Sequence, residues 1–425
     1  MPLSPMMQHY LQTKQENPDC LLFYRLGDFY EMFYEDAETV SRELDLTLTG
    51  KECGLPERAP MCGVPYHAVE TYLERLVEKG YRIAICEQME DPKLAKGLVK
   101  REVVRIVTPG TITGEGLDDS RNNYILCAVY GDNRYGLALS DVSTGLFFVS
   151  EAPTTRDLLG EIDKYSPSEI LINDAFSMSD ANLSLIRDQK GFSMWTLPAA
   201  ALEPENEFRM LAHFGTDRES SGLSAYPLGA TAAGALFRYL QDTQKNGLEQ
   251  LSRITVYPIG RYMTLDLSTR RNLELIETLR EKQKKGSLLW VLDHTGTAMG
   301  ARMLRNWIEQ PLVNKKEILR RQDAIWELNQ DLITREEIRE YLRPVYDLEQ
   351  LMTRIAYRTA GPRELIALGR SLSMLPHIRA QLATQKSPLL KELCEEMDPM
   401  EDLCSLIEAS IAPEPPITKI GRAHV

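Results

Sequence analysis

The first part of the chain is organised around the stretch Gly27-Asp28-Phe29-Tyr30-Glu31-Met32-Phe33, a turn pair followed by a run that favours β-strand. Side chains two positions apart on a strand project from the same face, so we expect Phe29 and Glu31 to point together. An apolar ring beside a hydrogen-bonding carboxylate is suited to opening a stacked base step. The alternative is a core position, because aromatic side chains most often fill protein cores. The neighbouring aromatic residues are Phe23, Tyr24, Tyr30, Phe33 and Tyr34.

Three further blocks follow this stretch along the chain. They are Gly63-Val64-Pro65-Tyr66-His67-Ala68, Ile85-Cys86-Glu87-Gln88 and Val103-Val104-Arg105-Ile106-Val107-Thr108-Pro109-Gly110-Thr111. Together with the first stretch, and in this order, the blocks resemble the N-terminal domain of the MutS family of DNA mismatch-repair proteins. Several blocks in a fixed order are far more specific than any single short motif.

The resemblance implies a role for each member of the Phe-x-Glu pair. Phe29 would insert its ring from the minor groove beside a mispaired or unpaired base, and Glu31 would hydrogen-bond that base. Inserting an apolar side chain unstacks a base step, and the cost is smaller where pairing is already faulty. A carboxylate near the phosphates is repelled unless it or the base supplies a proton for the bond. We therefore expect mismatch selectivity to come from deformability more than from the reading of base letters.

The formal net charge of −13 argues against a sequence-independent DNA binder, for which a basic balance is expected. Local charge differs from this total, because residues 93–105 are rich in Lys and Arg and contain one acid, Glu102. The stretch is a candidate phosphate-contacting segment. A solvated strand or loop edge is the alternative, and the sequence leaves both open. The basic residues concerned are Lys93, Lys96, Lys100, Arg101 and Arg105.

Cysteine and histidine usage indicates neither disulfides nor metal. The seven cysteines are too few and too scattered for a disulfide scaffold in 425 residues, which favours reduced thiols in the cytoplasm. The six histidines show no His-x-x-x-His spacing, so we expect no metal site. The N-terminus lacks a signal-peptide pattern, and the most apolar window, residues 225–237, is too short to span a bilayer. We expect a cytoplasmic, nucleoid-associated protein without membrane contact.

Residues 1–113 predict a mixed α/β domain, which the resemblance makes the mismatch-recognition domain. Gly80 is a favoured residue just after a helix. Residues 114–122 have linker composition, with glycines and acids and little to bury. The predicted elements are a hairpin at 21–33 around Gly27-Asp28, helices at 35–44 and 68–79, and strands at 81–86 and 102–107.

Residues 123–257 predict a second α/β domain, which resembles the ribonuclease-H-like connector domain of the family. Asp141 lies on one of its strands, where nucleases of that fold hold a metal-binding carboxylate. A metal-dependent nuclease is therefore the alternative function. Two-metal chemistry needs several converging carboxylates, however, and the sequence offers Asp141 no evident partner. The predicted strands are 123–130, 135–142, 145–150 and 169–172, with a helix at 155–164 after the third.

Residues 258–419 change to long helical periodicity, which resembles the start of the family's helical core and lever domain. Ser268 or Thr269 is a candidate cap for a helix that ends near Gly286. A second helix is expected over residues 297–310, stopped by Pro311. The residues expected on the apolar sides of these helices are Leu273, Ile276, Leu279, Met303, Leu304, Trp307 and Ile308, with Trp290 as a further packing residue.

The sequence contains no Gly-x-x-x-x-Gly-Lys-[Ser/Thr] pattern, so it has no P-loop to cradle phosphates. We expect neither enzymatic activity nor a cofactor in this chain. The resemblance implies a full-length parent with a clamp, a C-terminal DNA-dependent ATPase that binds ATP and Mg²⁺, a homodimeric state, and a downstream partner of the MutL family. The end of the chain, residues 420–425, matches one frame of a common sequencing adapter, and we expect a non-native tail there.

The sequence thus predicts a multidomain protein, α/β in its first two domains and all-α in an incomplete third. Its expected function is to bind mismatched base pairs and small insertion or deletion loops in duplex DNA and so to initiate repair. A family paralogue that serves recombination is a third interpretation. Such paralogues typically lack the first domain or its Phe-x-Glu pair, so the presence of Phe29 and Glu31 argues against it.

Overall fold

The computed structural model describes residues 3–90, 99–112, 119–181, 191–245, 248–357 and 359–415. Contacts divide the chain into two compact units. The first comprises Met1–Leu117, Asn123–Thr155 and Ser166–Val256, and the second comprises Asp118–Asn122, Arg156–Tyr165 and Tyr257–Val425. The predicted tail at residues 420–425 lies outside the described residues.

The first unit begins with a six-stranded mixed sheet of order β3-β4-β2-β1-β5-β6. Gly27 takes a left-handed backbone (φ 62°) that few other residues adopt, and it turns β1 into β2 as the sequence predicts. Among the strand pairs that the structure describes in this sheet, β1–β5 is parallel and the others are antiparallel. The strands are β1 (Leu21–Leu26), β2 (Phe29–Phe33), β3 (Thr49–Lys51), β4 (Ala59–Pro65), β5 (Ile83–Gln88) and β6 (Arg101–Val107).

Helices cover both faces of this sheet, because successive strand residues alternate between two apolar layers. On one face Phe23, Tyr30 and Met32 pack with residues of α2 and α3. On the other face Tyr24 and Phe33 pack with residues of α1. The predicted helices at 35–44 and 68–79 are confirmed. The helices are α1 (Pro5–Glu16), α2 (Tyr34–Leu44) and α3 (Val69–Glu78).

A second six-stranded sheet in the same unit has the order β11-β10-β7-β8-β9-β12. Strands β7, β8 and β9 form an antiparallel meander, and β10 lies parallel to β7. The predicted order of three strands, a helix and a strand is confirmed. The strands are β7 (Ile125–Gly131), β8 (Arg134–Asp141), β9 (Leu146–Ala152), β10 (Glu169–Ile172), β11 (Ser193–Thr196) and β12 (Thr255–Val256). Helix α4 (Thr155–Tyr165) lies between β9 and β10 in the chain, and its residues Arg156–Tyr165 belong to the second unit.

The α-helices of the described residues that follow in this unit are α5 (Pro204–His213) and α6 (Pro227–Gln244). Helix α6 packs directly on the backbone of β8. A Cβ atom at Gly136 of β8 would lie 2.1 Å from the carbonyl oxygen of Leu228, which is far inside van der Waals contact. A glycine is therefore required where the helix crosses the strand.

The second unit is helical, with an isolated bridge between Tyr262 and Leu312. Most of its helices are short and follow one another closely. They are α7 (Leu267–Asn272), α8 (Leu288–Leu292), α9 (Ala298–Glu309), α10 (Lys315–Gln330), α11 (Leu332–Leu342), α12 (Leu348–Ala356), α13 (Pro362–Leu372), α14 (Leu375–Ala383), α15 (Pro388–Glu396) and α16 (Glu401–Ser410).

The predicted helix with a cap at Ser268 or Thr269 and a body reaching residue 286 is wrong. Asp266 caps α7 by accepting a hydrogen bond of 2.6 Å from the Thr269 backbone N–H. The helix ends at Asn272, because Glu274 takes a left-handed backbone (φ 48°) that an α-helix cannot continue through. Leu273, expected on an apolar side, is 60% exposed.

The next predicted helix is confirmed as α9, which Thr297 caps through the Gly300 N–H. Its predicted inward face is wrong at two positions, since Met303 and Trp307 are exposed. Arg302 is the buried residue instead. Periodicity missed it because a guanidinium enters a protein interior only when carboxylates pair with it, and those carboxylates lie far along the chain. Trp290, also expected to pack, is 49% exposed.

All seven cysteines are free, and those before residue 130 are buried. Burial raises the pKa of the Cys62 thiol to about 11 and that of Cys86 to about 12, which keeps both protonated at neutral pH. Within the described ranges, no helix has the length and apolar character needed to cross a membrane.

Candidate nucleic-acid interface

Phe29 is the exposed aromatic residue of the first sheet's hairpin. It begins β2, where it pairs with Leu26 on one side and Pro65 on the other. Its side chain is 47% exposed, whereas Tyr30 and Phe33 of the same strand are buried. The core alternative therefore describes those neighbours and not Phe29. The ring stands at the end of the strand with its apolar surface in water.

Glu31 lies two positions further along the same strand, directly opposite Gly63 of β4. Alternation places it on the same face as Phe29, as predicted. Its carboxylate forms an ion pair with the ammonium of Lys51, and the Glu31 side chain is only 15% exposed. Lys51 was not foreseen, because it lies on a three-residue edge strand whose Thr-Gly-Lys sequence has no readable alternation.

A second aromatic group lies beside this hairpin. The Arg25 guanidinium stacks 3.8 Å from the ring centroid of Tyr66, a residue that is 43% exposed. Arg25 also lies 3.7 Å from Glu87, which accepts a hydrogen bond from the Tyr30 hydroxyl. Burial raises the pKa of Tyr30, and the charge of Glu87 raises it further. Tyr30 therefore stays a neutral donor, and Arg25 keeps Tyr66 in place.

The described basic residues of segment 93–105 have different surroundings in the structure. Lys93 and Lys96 lie outside the described residues. Lys100 is exposed and pairs with Glu102 at 2.8 Å, and Arg105 pairs with the partly exposed Glu70 at 2.7 Å.

Arg101 differs from the other described members of that stretch because it is buried, with 7% of its surface exposed. It donates hydrogen bonds to the backbone oxygens of Arg25 (2.9 Å) and Val99 (3.0 Å). Its guanidinium lies over the ring of Tyr24, 5.2 Å from the centroid. This position corrects the expectation of a phosphate contact, because the side chain turns inward and ties β6 to β1.

Asp141, on which the nuclease alternative depends, holds a turn together. One carboxylate oxygen accepts hydrogen bonds from the backbone N–H (2.9 Å) and hydroxyl (2.6 Å) of Ser143, and the other accepts from the Asn123 N–H. The side chain is fully buried. Among the residues with described positions, no cluster of three or more His, Cys, Asp or Glu is placed to hold a metal ion. Nothing supports the nuclease alternative.

The geometry defines a class of protein: an α/β protein with a helical second unit, whose first sheet carries an exposed aromatic ring beside an ion-paired carboxylate. Comparison with known families then assigns each part of the chain. MutS domain I matches residues 4–116, MutS domain II matches residues 123–255, and MutS domain III matches residues 268–422.

Curated relatives agree with these matches. Proteins named DNA mismatch repair protein MutS are 55% identical over 418 residues in Lachnoclostridium phytofermentans and 48% identical over 421 residues in Ruminiclostridium cellulolyticum. Each alignment covers 98% of this chain but only 45% and 48%, respectively, of the relative. The chain therefore spans about half the length of the curated relatives it matches. It belongs to the MutS family of DNA mismatch-repair proteins, as its sequence blocks predict.

Proposed function

We propose that this chain recognises mismatched base pairs and small insertion or deletion loops in duplex DNA, as the first step of mismatch repair. The observation that carries the proposal is the exposure of Phe29 at the strand end beside Glu31. An aromatic ring left in water next to a hydrogen-bonding group is available to enter a base stack. The names of the relatives support the same process.

The proposed mechanism uses the difference in stiffness between faulty and correct DNA. Phe29 wedges into the step beside the mispaired base, which costs less unstacking energy where pairing is already defective. Glu31 then hydrogen-bonds the displaced base and fixes the register of the complex. A matched duplex resists the wedge and offers Glu31 no bonding partner.

Sequence-independent affinity comes from phosphate contacts in this proposal. Lys100 and Arg105 are the described candidates, and Lys93 and Lys96 remain predictions. Their acidic partners Glu102 and Glu70 are partly exposed, so a phosphate replaces them at little cost. Such contacts position the duplex but carry no information on pairing.

Other features of the family extend the proposal beyond the described residues. We infer that ATP and Mg²⁺ bind in the half of the relatives' length that this chain does not match. We also infer that the whole protein is a homodimer and that it acts with a downstream partner of the MutL family. Because the proposed substrate is chromosomal DNA, we infer that the protein lies in the cytoplasm, associated with the nucleoid.

The test is a Phe29→Ala variant of the full chain. Equilibrium binding is measured by fluorescence anisotropy with a duplex containing one mismatch and with the same duplex fully paired. We expect the ratio of the two dissociation constants to fall to about one, because alanine has no ring to insert into the base step. Affinity for paired DNA should persist, since phosphate contacts remain.

Phe208→Ala is the matched control, because Phe208 is 68% exposed on α5 of the same unit. It should leave the ratio at the wild-type value. A preference for mismatched DNA that survives Phe29→Ala would overturn the wedge assignment. Glu31→Ala should lower the ratio in the same assay while leaving nonspecific affinity.

A further inference from the structure

Lys51 reaches Glu31 across an intervening strand. Lys51 pairs with Ala59 in the β3–β4 register, and Glu31 pairs with Gly63 in the β2–β4 register. The two strands are second neighbours in the sheet, roughly 10 Å apart at two strand spacings. The residues are also offset along the sheet, by the stretch of β4 from Ala59 to Gly63. Both side chains must extend over β4 to form their ion pair.

Gly63 lies on β4 beside Glu31. A Cβ atom there would lie 3.5 Å from Cγ of Glu31 and 3.2 Å from the carbonyl oxygen of Tyr30. The backbone of Gly63 is not left-handed, so its conformation does not demand glycine. The missing side chain leaves the surface of β4 open beside the stem of Glu31, where a larger side chain would crowd it.

The proposed function brings the Glu31 carboxylate close to DNA phosphates, and the ion pair offsets the repulsion between them. A carboxylate that is 15% exposed has lost most of its water, and a DNA polyanion nearby would repel it. Lys51 cancels that charge and remains 33% exposed. Its ammonium also lies 5.7 Å from the centroid of the buried Phe33 ring, which helps to fix its position.

We propose that Lys51 is a positioning residue for Glu31. It holds the carboxylate in one pose beside Phe29 and offsets its charge against the phosphates. This inference rests on the proposed function, because it assigns Lys51 to the same mismatch-binding site. Lys51 acts through Glu31 and makes no base contact of its own.

The test compares Lys51→Met with Lys51→Arg in the full chain. Methionine keeps the apolar stem and removes the charge, whereas arginine keeps the charge and the reach. Dissociation constants are measured for mismatched and paired duplexes at several salt concentrations. Each substitution is made in the wild-type chain and in the Glu31→Ala chain. Lys79→Met is the control, because Lys79 forms a comparable 2.9 Å ion pair with Glu43.

We expect Lys51→Met to lower the mismatch preference about fivefold, because an unpaired Glu31 loses its fixed pose. Lys51→Arg should restore most of the preference, and Lys79→Met should leave it unchanged. In the Glu31→Ala chain, Lys51→Met should have no further effect on the ratio. Gly63→Val, which crowds the stem of Glu31 but keeps both charges, should lower the ratio as Lys51→Met does.

A simple phosphate contact gives a different result. Lys51→Met would then weaken both duplexes equally, reduce the salt slope by about 0.9, and act equally in the Glu31→Ala chain. That result, or a ratio that is unchanged or raised, would overturn the positioning role. The proposed function fails separately, when Phe29→Ala and Glu31→Ala both leave the mismatch preference intact.

Discussion

Exposure distinguishes Phe29 from Tyr30 and Phe33 of the same strand, and the sequence does not show this distinction. Alternation predicts that Phe29 and Glu31 share a face, which the strand registers confirm. It does not predict that Phe33, on the same face, is covered while Phe29 is not. That difference depends on where α1 packs against the sheet, which is a tertiary fact.

Glu169 is a buried carboxylate that joins the two sheets of the first unit. One of its oxygens accepts hydrogen bonds from the Thr108 hydroxyl (2.6 Å) and the Gly110 N–H (3.0 Å). The other accepts from the Tyr239 hydroxyl at 2.5 Å. Burial raises the pKa of Glu169, against the lowering effect of these bonds. The Thr108-Pro109-Gly110-Thr111 block thus has a structural purpose that its sequence does not reveal.

We predict that Glu169→Gln flattens the pH dependence of the first unit's stability. A carboxyl whose pKa is raised by folding contributes stability below its unfolded pKa and loses it as pH rises through the folded pKa. Glutamine keeps an acceptor for Thr108 and Gly110 but does not titrate. The wild type should therefore lose stability relative to the variant as pH rises from acid to neutral.

The measurement is urea-dependent hydrogen exchange of β7 and β10 amides over that pH range. Glu102→Gln is the control, because Glu102 is exposed and pairs with the exposed Lys100. Parallel pH profiles for wild type and Glu169→Gln would contradict the prediction, because they would show that folding does not change the pKa of Glu169.

Elements with a strong local signal were predictable. Gly27 and a period of two give the β1–β2 hairpin, and Gly80 after an apolar stripe gives the end of α3. The region after Asp266 was mispredicted because its leucines have helical spacing while its backbone turns at Glu274. Spacing alone does not show where a chain leaves a helix, and it does not show which of the polar residues Asp266, Ser268 and Thr269 caps the helix.

The contact between α6 and β8 predicts a large effect at a small residue. Gly136→Ala places a methyl group 2.1 Å from the Leu228 carbonyl oxygen, a backbone atom that moves only with its helix. We expect a loss of about 1–3 kcal/mol or more in the free energy of unfolding, because overpacking forces the helix away. Hydrogen exchange of β7, β8 and β9 amides measures it.

Gly296→Ala, in the second unit, is the control for this substitution, and its effect is measured by hydrogen exchange of α9 and α11 amides. A Cβ there would lie 3.7 Å from Leu342, an ordinary van der Waals contact. It should change stability by a few tenths of a kcal/mol. Equal effects of the two alanine substitutions would contradict the close packing of α6 on β8.

At the scale of the whole molecule, Arg302 connects separate chain segments of the second unit. Its guanidinium forms ion pairs with Asp347 and Glu349 and donates a 2.8 Å hydrogen bond to the backbone oxygen of Asp119. Asp347 also caps α12 by accepting from the Gln350 N–H. Residues far apart in sequence thus share one buried charge, which no local pattern foretells.

We predict that Arg302→Met destabilises the second unit by about 3–5 kcal/mol, because it leaves two carboxylates without their buried partner. Thermal unfolding with hydrogen exchange of α9 and α12 measures the change. Arg343→Met is the control, since the Arg343 and Glu340 pair is exposed. A loss no larger than that of the control would show that the ion pairs of Arg302 do not stabilise the second unit.

The proposed function depends on one central claim, that this chain opens faulty base steps with an aromatic wedge. Base unstacking tests the claim more directly than affinity does. The measurement is the fluorescence of a 2-aminopurine placed next to a mismatch, with the full chain added at saturating concentration. We predict a clear rise with wild type and with Phe208→Ala, and none with Phe29→Ala. A rise of wild-type size with Phe29→Ala would contradict the account.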